Sequence, residues 1–459
     1  MTEQKITSPN ITGMSRRRLL AGIGALALAG VTGSEAAAAA GQALRVDGET
    51  RKPNIVLIVL DDLGYGEIGS YGQKTIKTPV LDRLAAEGLR FTQAYANPTC
   101  APSRASLLTG LHTGHSRIKG NGDSGKGLVA EDVTVAETLR AAGYATSHIG
   151  KWGFGPDNGD NPSHPNSQGY DHFFGYITHG HAHDYWPTYL WRDAERITYP
   201  ENEGADVTYA GDLFTTEALD FIDRNHDRPF FLNLNYTTPH GPNEVPSDAP
   251  YTDENWPQPE RNHAAQITWT DGAIGKVLDR LELHGVANDT LVVFTSDNGP
   301  HALHGVEFFD SNGPLRGTKF TVYEGGIRVP LIVRLPASLR SAGAPTAGSV
   351  LRQKVAVWDF LPTLSDVAGG ETPAGLDGIS FLPALTGKSQ PGRPYLYWQS
   401  EGGDQAVRFG RWKAVRRKGK AVELYDLWSD LGESKNIASS HPNQVRSAEK
   451  WLADAVVVK

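Results

Sequence analysis

Residues Ile55-Val56-Leu57-Ile58-Val59-Leu60 form an unbroken apolar run that stops at Asp61-Asp62. A strand with one wet face alternates apolar and polar residues. A run that is apolar at every position belongs in a sheet covered on both faces, usually a parallel sheet packed between helices. The chain that follows fits this requirement. Thr78-Pro79 reads as a helix cap followed by proline in the first turn. Val80, Leu81, Leu84, Ala85 and Leu89 give that helix an apolar face, and Gly88 lies near its stop. Residues 134–142, 212–225 and 264–283 read as further helices, and 144–149, 229–236, 290–296 and 327–335 as strands. Alternating helices and apolar strands predict an α/β fold with helices on both faces of a sheet.

After about Gly343 the pattern changes. Residues 355–368 read as a helix, 373–391 as turns, and 395–398, 406–408, 412–415 and 422–427 as short strands. Residues 445–458 suit a closing helix. This predicts a smaller C-terminal α+β domain over 346–459, with an antiparallel sheet, following a larger α/β domain over 44–345. A length of 459 residues accommodates both. Hydrophobic residues at 39% and charged residues at 21% exclude a disordered or fibrous chain. The net charge of −8 argues against a nucleic-acid partner, whose phosphates it would repel.

The amino terminus reads as an address. Arg16-Arg17-Arg18 precedes a weakly apolar run to about Val31, then an alanine-rich stretch ending near Ala43. A basic start, apolar middle and small-residue end describe a signal peptide over 1–43, and the consecutive arginines resemble a twin-arginine export signal. The expectation is an exported protein, periplasmic or secreted. No later stretch is long and apolar enough to span a bilayer, so no stable membrane anchor is expected.

Polar residues collect where the predicted strands end. Strand 55–60 runs into Asp61-Asp62, strand 144–149 into Gly150-Lys151, strand 229–236 into Thr237-Thr238-Pro239-His240, and strand 290–296 into Asp297-Asn298-Gly299. Each residue alone has an ordinary explanation, since Asp and Asn after a strand often cap a turn. Four strands ending this way at one sheet edge point to a shared ligand site. Carboxylates about 4 Å apart repel by roughly 4 kcal/mol at an effective dielectric near 20, so they protonate or attract a cation. Asp61, Asp62, Asp297 and Asn298 offer only oxygen ligands, which favours calcium or magnesium over zinc.

The lone cysteine, Cys100, lies in Asn97-Pro98-Thr99-Cys100-Ala101-Pro102-Ser103-Arg104, just before Leu107-Leu108-Thr109-Gly110. It has no partner for an internal disulfide. Pro102 places it at the start of a helix, whose free N–H groups attract anions. A buried structural cysteine is the alternative, and the polar surroundings speak against it.

Cys-Ala-Pro-Ser-Arg with Leu-Leu-Thr-Gly downstream resembles the signature of type I sulfatases, the formylglycine-dependent sulfuric-ester hydrolases. Asp61-Asp62, Gly150-Lys151-Trp152, Thr238-Pro239-His240, Asp297-Asn298-Gly299 and Lys319 resemble further family segments in the same order. Residues 355–370 and 423–427 resemble its C-terminal region. The resemblance implies an alkaline-phosphatase-like fold with a large mixed, mostly parallel sheet. It implies hydrolysis of aryl or carbohydrate sulfates, with a formylglycine-generating enzyme acting during maturation. Cys100 is then oxidised to formylglycine (3-oxoalanine), whose hydrated aldehyde attacks sulfur and later expels sulfate. One calcium ion sits among Asp61, Asp62, Asp297, Asn298 and the modified Cys100. Arg104 steadies the diol, Lys151 and Lys319 hold the sulfate, and His240 acts as acid toward the leaving oxygen.

One position departs from the family pattern. Many members carry His two residues after the motif lysine, where this chain has Gly153. His183, within His179-Gly180-His181-Ala182-His183, is expected to substitute; a plain loop, or alternating histidines on one strand face that bind zinc, are the rival readings. Phosphoester or phosphonate hydrolysis on the same scaffold is the nearest functional alternative. A non-catalytic binder of sulfated glycans is another, with Tyr185-Trp186 and Tyr189-Leu190-Trp191 lining a sugar site or serving as core. Substrate choice is expected to lie in loops 153–191 and 242–261.

Overall fold

The apolar run became the centre of a ten-stranded sheet in the computed structural model, which describes residues 51–303 and 306–456. The export signal expected over 1–43 lies outside the described residues. The strands are β1 (Asn54–Leu60), β2 (Leu89–Tyr95), β3 (Ala145–Lys151), β4 (His172–Tyr176), β5 (Tyr189–Arg192), β6 (Glu195–Thr198), β7 (Phe230–Asn235), β8 (Thr290–Ser296), β9 (Arg328–Arg334) and β10 (Val350–Ala356). Their spatial order is β10-β2-β9-β8-β1-β7-β3-β4-β5-β6. β1 runs parallel to both its neighbours, with Val56 beside Leu232 and Val292. β3 is parallel to β7 and β4, while β9 is antiparallel to β8 and β2.

All seven residues of β1 are buried. Ile55, Leu57 and Val59 enter one core; Val56, Ile58 and Leu60 enter the other. Each such side chain contributes about 1.5–3 kcal/mol by leaving water, so both faces need cover. α1 (Pro79–Glu87), α4 (Ala210–Asn225) and α5 (Gln258–Leu283) supply residues to the second core. α2 (Cys100–Thr109), α3 (Val135–Ala141) and α7 (Phe360–Ala368) supply the first, and α6 (Glu324–Ile327) is a short turn leading into β9. Thr134 caps α3 in a reciprocal box with Glu137. Thr78 precedes α1 without capping it through its side chain. Asp271 of α5 accepts from Val80 and Leu81 N–H at 3.0 and 2.8 Å, so a neighbouring helix satisfies this terminus.

Two expectations are corrected. The helix read over 355–368 begins only at Phe360, because 350–356 forms β10 beside β2. Asp359 accepts the Ala356 N–H at 2.8 Å and marks the change from strand to helix. The stretch 153–191, read as loop, contains β4 and the start of β5, and it shields the sheet edge. β2 carries Arg90, Thr92 and Gln93 among its apolar residues and had no apolar run to reveal it.

The mixed, mostly parallel sheet flanked by helices is the α/β arrangement expected. A second sheet, β11 (Leu396–Gln399), β12 (Gln405–Phe409), β13 (Trp412–Arg416) and β14 (Glu423–Asp426), is antiparallel throughout. After the short α8 (Leu382–Leu385) and these strands, α9 (Pro442–Asp454) packs Ala448 and Leu452 on Val407 and Leu424. The described residues belong to one compact unit. Among the described residues, no helix is long and apolar enough to cross a membrane.

Lys413 ties the small sheet to α6 electrostatically. It is fully buried on β13, 3.0 Å from both Glu324 of α6 and Glu433. Burial opposes the charge on Glu324, yet Lys413, Arg328 and Arg408 hold its pKa down to about 2. Removing one member of a buried ion group leaves the remaining charges without compensation. Lys413→Met is therefore expected to lower stability by about 3–5 kcal/mol in chemical denaturation. A loss below about 1 kcal/mol, within the range of an exposed pair, contradicts this role.

Candidate active site

The carboxyl ends of β1, β8, β3 and β7 bring the predicted polar residues together at one edge. Asp61 and Asp62 follow β1, Asp297 and Asn298 follow β8, Lys151 ends β3, and His240 follows β7. Asp62 has φ 66°, a left-handed conformation that aspartate tolerates better than most residues. The turn carries its N–H to Asp297 Oδ1 at 3.1 Å, and Asn298 Nδ2 donates to Asp62 Oδ1 at 2.7 Å.

Cys100 is the first residue of α2 and is fully buried. Its Sγ lies 3.1 Å from Asp61 Oδ1 and 3.7 Å from Asp62 Oδ1. Arg104, one helical turn on, donates from Nε and Nη2 to Asp297 Oδ2 at 3.0 and 2.8 Å. Lys151 Nζ donates to Asp61 Oδ2 at 2.5 Å, and Lys319 Nζ to Asp62 Oδ2 at 2.8 Å. His240 Nε2 stands 3.5 Å from Asp62 Oδ2. Its Nδ1 is 2.5 Å from the Gly241 carbonyl, which assigns the Nδ1 proton to that bond and turns Nε2 toward the site. His183 stacks on His240, ring centroids 4.3 Å apart. The structure thus gathers Asp61, Asp62, Cys100, Arg104, Lys151, His183, His240, Asp297, Asn298 and Lys319 in one place.

Three carboxylates face three buried cations in this cluster, but the compensation is uneven. Burial would raise Asp61, but Lys151, His240, Arg104 and Lys319 hold it well below the usual carboxylate range. Asp62 is likewise lowered against burial, chiefly by Lys319. Asp297 is pushed up to about 7 by burial and by Asp61, despite Arg104. Burial, reinforced by Asp61, pushes the Cys100 thiol well above its ordinary value. Asn298 Oδ1 is buried without a hydrogen-bond partner. An orphaned amide oxygen beside three carboxylates fits a hard divalent cation, and Asp61, Asp62, Cys100 and His240 present ligand atoms close enough to share one.

His179, His181 and His183 do not share a strand face. His181–His183 is a single 3-10 turn, and no metal-ligand cluster among the described residues includes them. Burial lowers His183 to about 4 and His179 to about 2, so both imidazoles are neutral at neutral pH. His183 Nε2 is buried without a partner. At Gly153 (φ 99°), an added Cβ would sit 3.2 Å from Arg104 Cδ and 3.7 Å from Lys151 Cε, so this position borders the same cavity. Tyr185 and Trp191 are buried, and the Tyr185 hydroxyl donates to the Thr237 carbonyl at 2.8 Å; these two belong to the core.

A supporting network went unrecognised in the sequence. Arg104 Nη1 donates to Asn235 Oδ1 at 3.0 Å, Asn235 Nδ2 to Asn233 Oδ1 at 2.8 Å, and Asn233 Nδ2 to Tyr170 at 2.8 Å. The signal was Asn233 and Asn235 in an otherwise apolar strand, where unpaired amides are costly. Asn235→Leu removes the acceptor that aims Arg104. It is expected to cost about 1–3 kcal/mol in thermal or chemical unfolding. Unchanged stability contradicts the network.

Three comparisons bear on this geometry. The family model described as Sulfatase matches residues 53–370, and one described as N-sulphoglucosamine sulphohydrolase, C-terminal, matches 318–452. The chain is 30% identical over 485 residues to N-acetylgalactosamine-6-O-sulfatase of Bacteroides thetaiotaomicron, covering 88% of this chain and 93% of the relative. It is 33% identical over 452 residues to human arylsulfatase A, covering 84% and 83%. The crystal structure of Ps i-CgsB in complex with k-i-k-neocarrahexaose superposes with TM-score 0.77 at 28% identity, covering 88% of this chain and 94% of that one.

Proposed function

The chain belongs to the sulfatase family and is a sulfuric-ester hydrolase of alkaline-phosphatase-like fold, and we propose that it desulfates a sugar of the N-acetylhexosamine 6-sulfate class, using an oxygen nucleophile made from Cys100 beside calcium. The setting of Cys100 carries this reading. A cysteine nucleophile works as a thiolate, but burial and Asp61 oppose that form here. Oxidation of Cys100 to formylglycine by a formylglycine-generating enzyme supplies a hydrated aldehyde whose hydroxyl serves instead.

Asp61, Asp62, Asp297 and Asn298 would hold the calcium, with residue 100 completing the set. The ion supplies positive charge against a sulfate oxygen. Lys151 and Lys319, fixed by Asp61 and Asp62, hold the other sulfate oxygens. Arg104 orients the hydroxyls at residue 100. His240, whose pKa burial lowers while Asp62 and Asp61 favour its imidazolium form, passes the Nε2 proton of that form to the leaving oxygen, and His183, stacked against it, takes the place left by Gly153. The sugar substrate is favoured because the Bacteroides relative is named for an N-acetylgalactosamine 6-sulfate and the Ps i-CgsB crystal holds a carrahexaose. The twin-arginine segment within 1–43 directs the folded enzyme to the periplasm or beyond.

The test compares turnover of N-acetylgalactosamine 6-sulfate and 6-phosphate, with and without chelator. Chelator-sensitive cleavage of the sulfate ester alone is expected; equal or faster phosphate cleavage makes this a phosphoester hydrolase. Lys319→Ala is expected to lower turnover about ten- to a hundredfold, the worth of one charge-assisted hydrogen bond. Near-normal kinetics reject its role. His183→Ala should likewise slow the sulfate reaction, and unchanged turnover removes it from the site.

A further inference from the structure

Phe320 follows the site lysine and has φ 74°. This is the left-handed region, strained for an aromatic residue and generally retained where function requires it. The surroundings enforce the conformation: the Phe320 N–H donates to the Pro98 carbonyl at 2.7 Å, two residues before Cys100. Burial does not explain the side chain, since half of its surface (50%) faces solvent. Its ring centre lies 5.6 Å from Lys319 Nζ.

His301 meets this ring edge to face, centroids 5.6 Å apart. Its Nδ1 accepts from the Leu303 N–H at 3.1 Å, which leaves the proton of the neutral ring on Nε2 as a donor. The same ring is 6.5 Å from that of His240, so the pair borders the reacting centre. A half-exposed aromatic ring set at right angles to a half-buried donor matches the two surfaces of a pyranose, an apolar C–H face and polar ring substituents.

We propose that Phe320 and His301 form the subsite for the sugar ring that bears the sulfate, with Phe320 stacking on its apolar face and His301 Nε2 donating to a ring substituent oxygen. This rests on the carbohydrate sulfatase reading above and assigns the residues that recognise the alcohol. Phe320→Gly separates recognition from folding, because glycine accepts the same backbone angle.

The experiment measures kcat and KM for N-acetylgalactosamine 6-sulfate, the inhibition constant of inorganic sulfate, and Tm, in wild type, Phe320→Gly, Phe320→Trp and His301→Ala. Phe320→Gly is expected to raise KM about five- to tenfold, the loss of one stacking contact. Inhibition by sulfate should stay within about twofold and Tm should not fall. Phe320→Trp should restore KM, and His301→Ala should raise it. An unchanged KM overturns the proposal, as does a sulfate inhibition constant that rises in parallel, since the effect then runs through Lys319. Failure of wild type on every sulfated sugar refutes the carbohydrate reading and this subsite with it. Failure of the subsite alone appears only in the variants, against an active wild type.

Discussion

Three carboxylates sit in a water-poor pocket at the end of the central strands, and the surrounding structure answers that charge. Lys151, Lys319 and Arg104 each pair with one of Asp61, Asp62 and Asp297. These cations are themselves buried, so they are stable only because the carboxylates are there. The result is a rigid polar lattice in which every charged head is fixed before a ligand arrives. Asp297 still stands near pKa 7, and an amide oxygen remains unpaired. Such preorganisation suits the anionic group of a sulfate ester, since little rearrangement remains for the reaction.

The two-layered cover of helices exists because β1 is apolar on both faces, and that feature was legible in a six-residue run. So were the strand ends, since the apolar run gives way to polar residues: Leu60 to Asp61 in one, and Phe294 through Thr295 and Ser296 to Asp297 in the other. The strands β2 and β4 were not legible. β2 mixes Arg90, Thr92 and Gln93 into its length, and β4 sits in a segment crowded with Gly, Pro and Asn. Tertiary pairing, rather than local propensity, makes them strands.

The candidate site divides in the same way. Residues on motif positions, such as Cys100, Arg104 and Lys151, could be named from the chain. Residues that act by holding those groups could not. Asn235 aims Arg104, Asp271 caps α1, and Lys413 closes a buried ion group between the small sheet and α6. Each is a buried polar residue whose partner is distant in sequence. Gly153 is the converse case. Its missing side chain is visible in the sequence, but the stacking of His183 on His240 appears only in three dimensions.

The chemistry turns on residue 100. A buried thiol between carboxylates is poorly suited to nucleophilic attack, while the proposed hydrated carbonyl in the same place would have Arg104 and a bound cation to orient it. Intact mass of the tryptic peptide containing residue 100, from active enzyme made in its native host, reads this directly. A peptide about 18 Da lighter than the cysteine form, the exchange of sulfur and two hydrogens for oxygen, is expected. Fully active enzyme carrying only unmodified cysteine contradicts it.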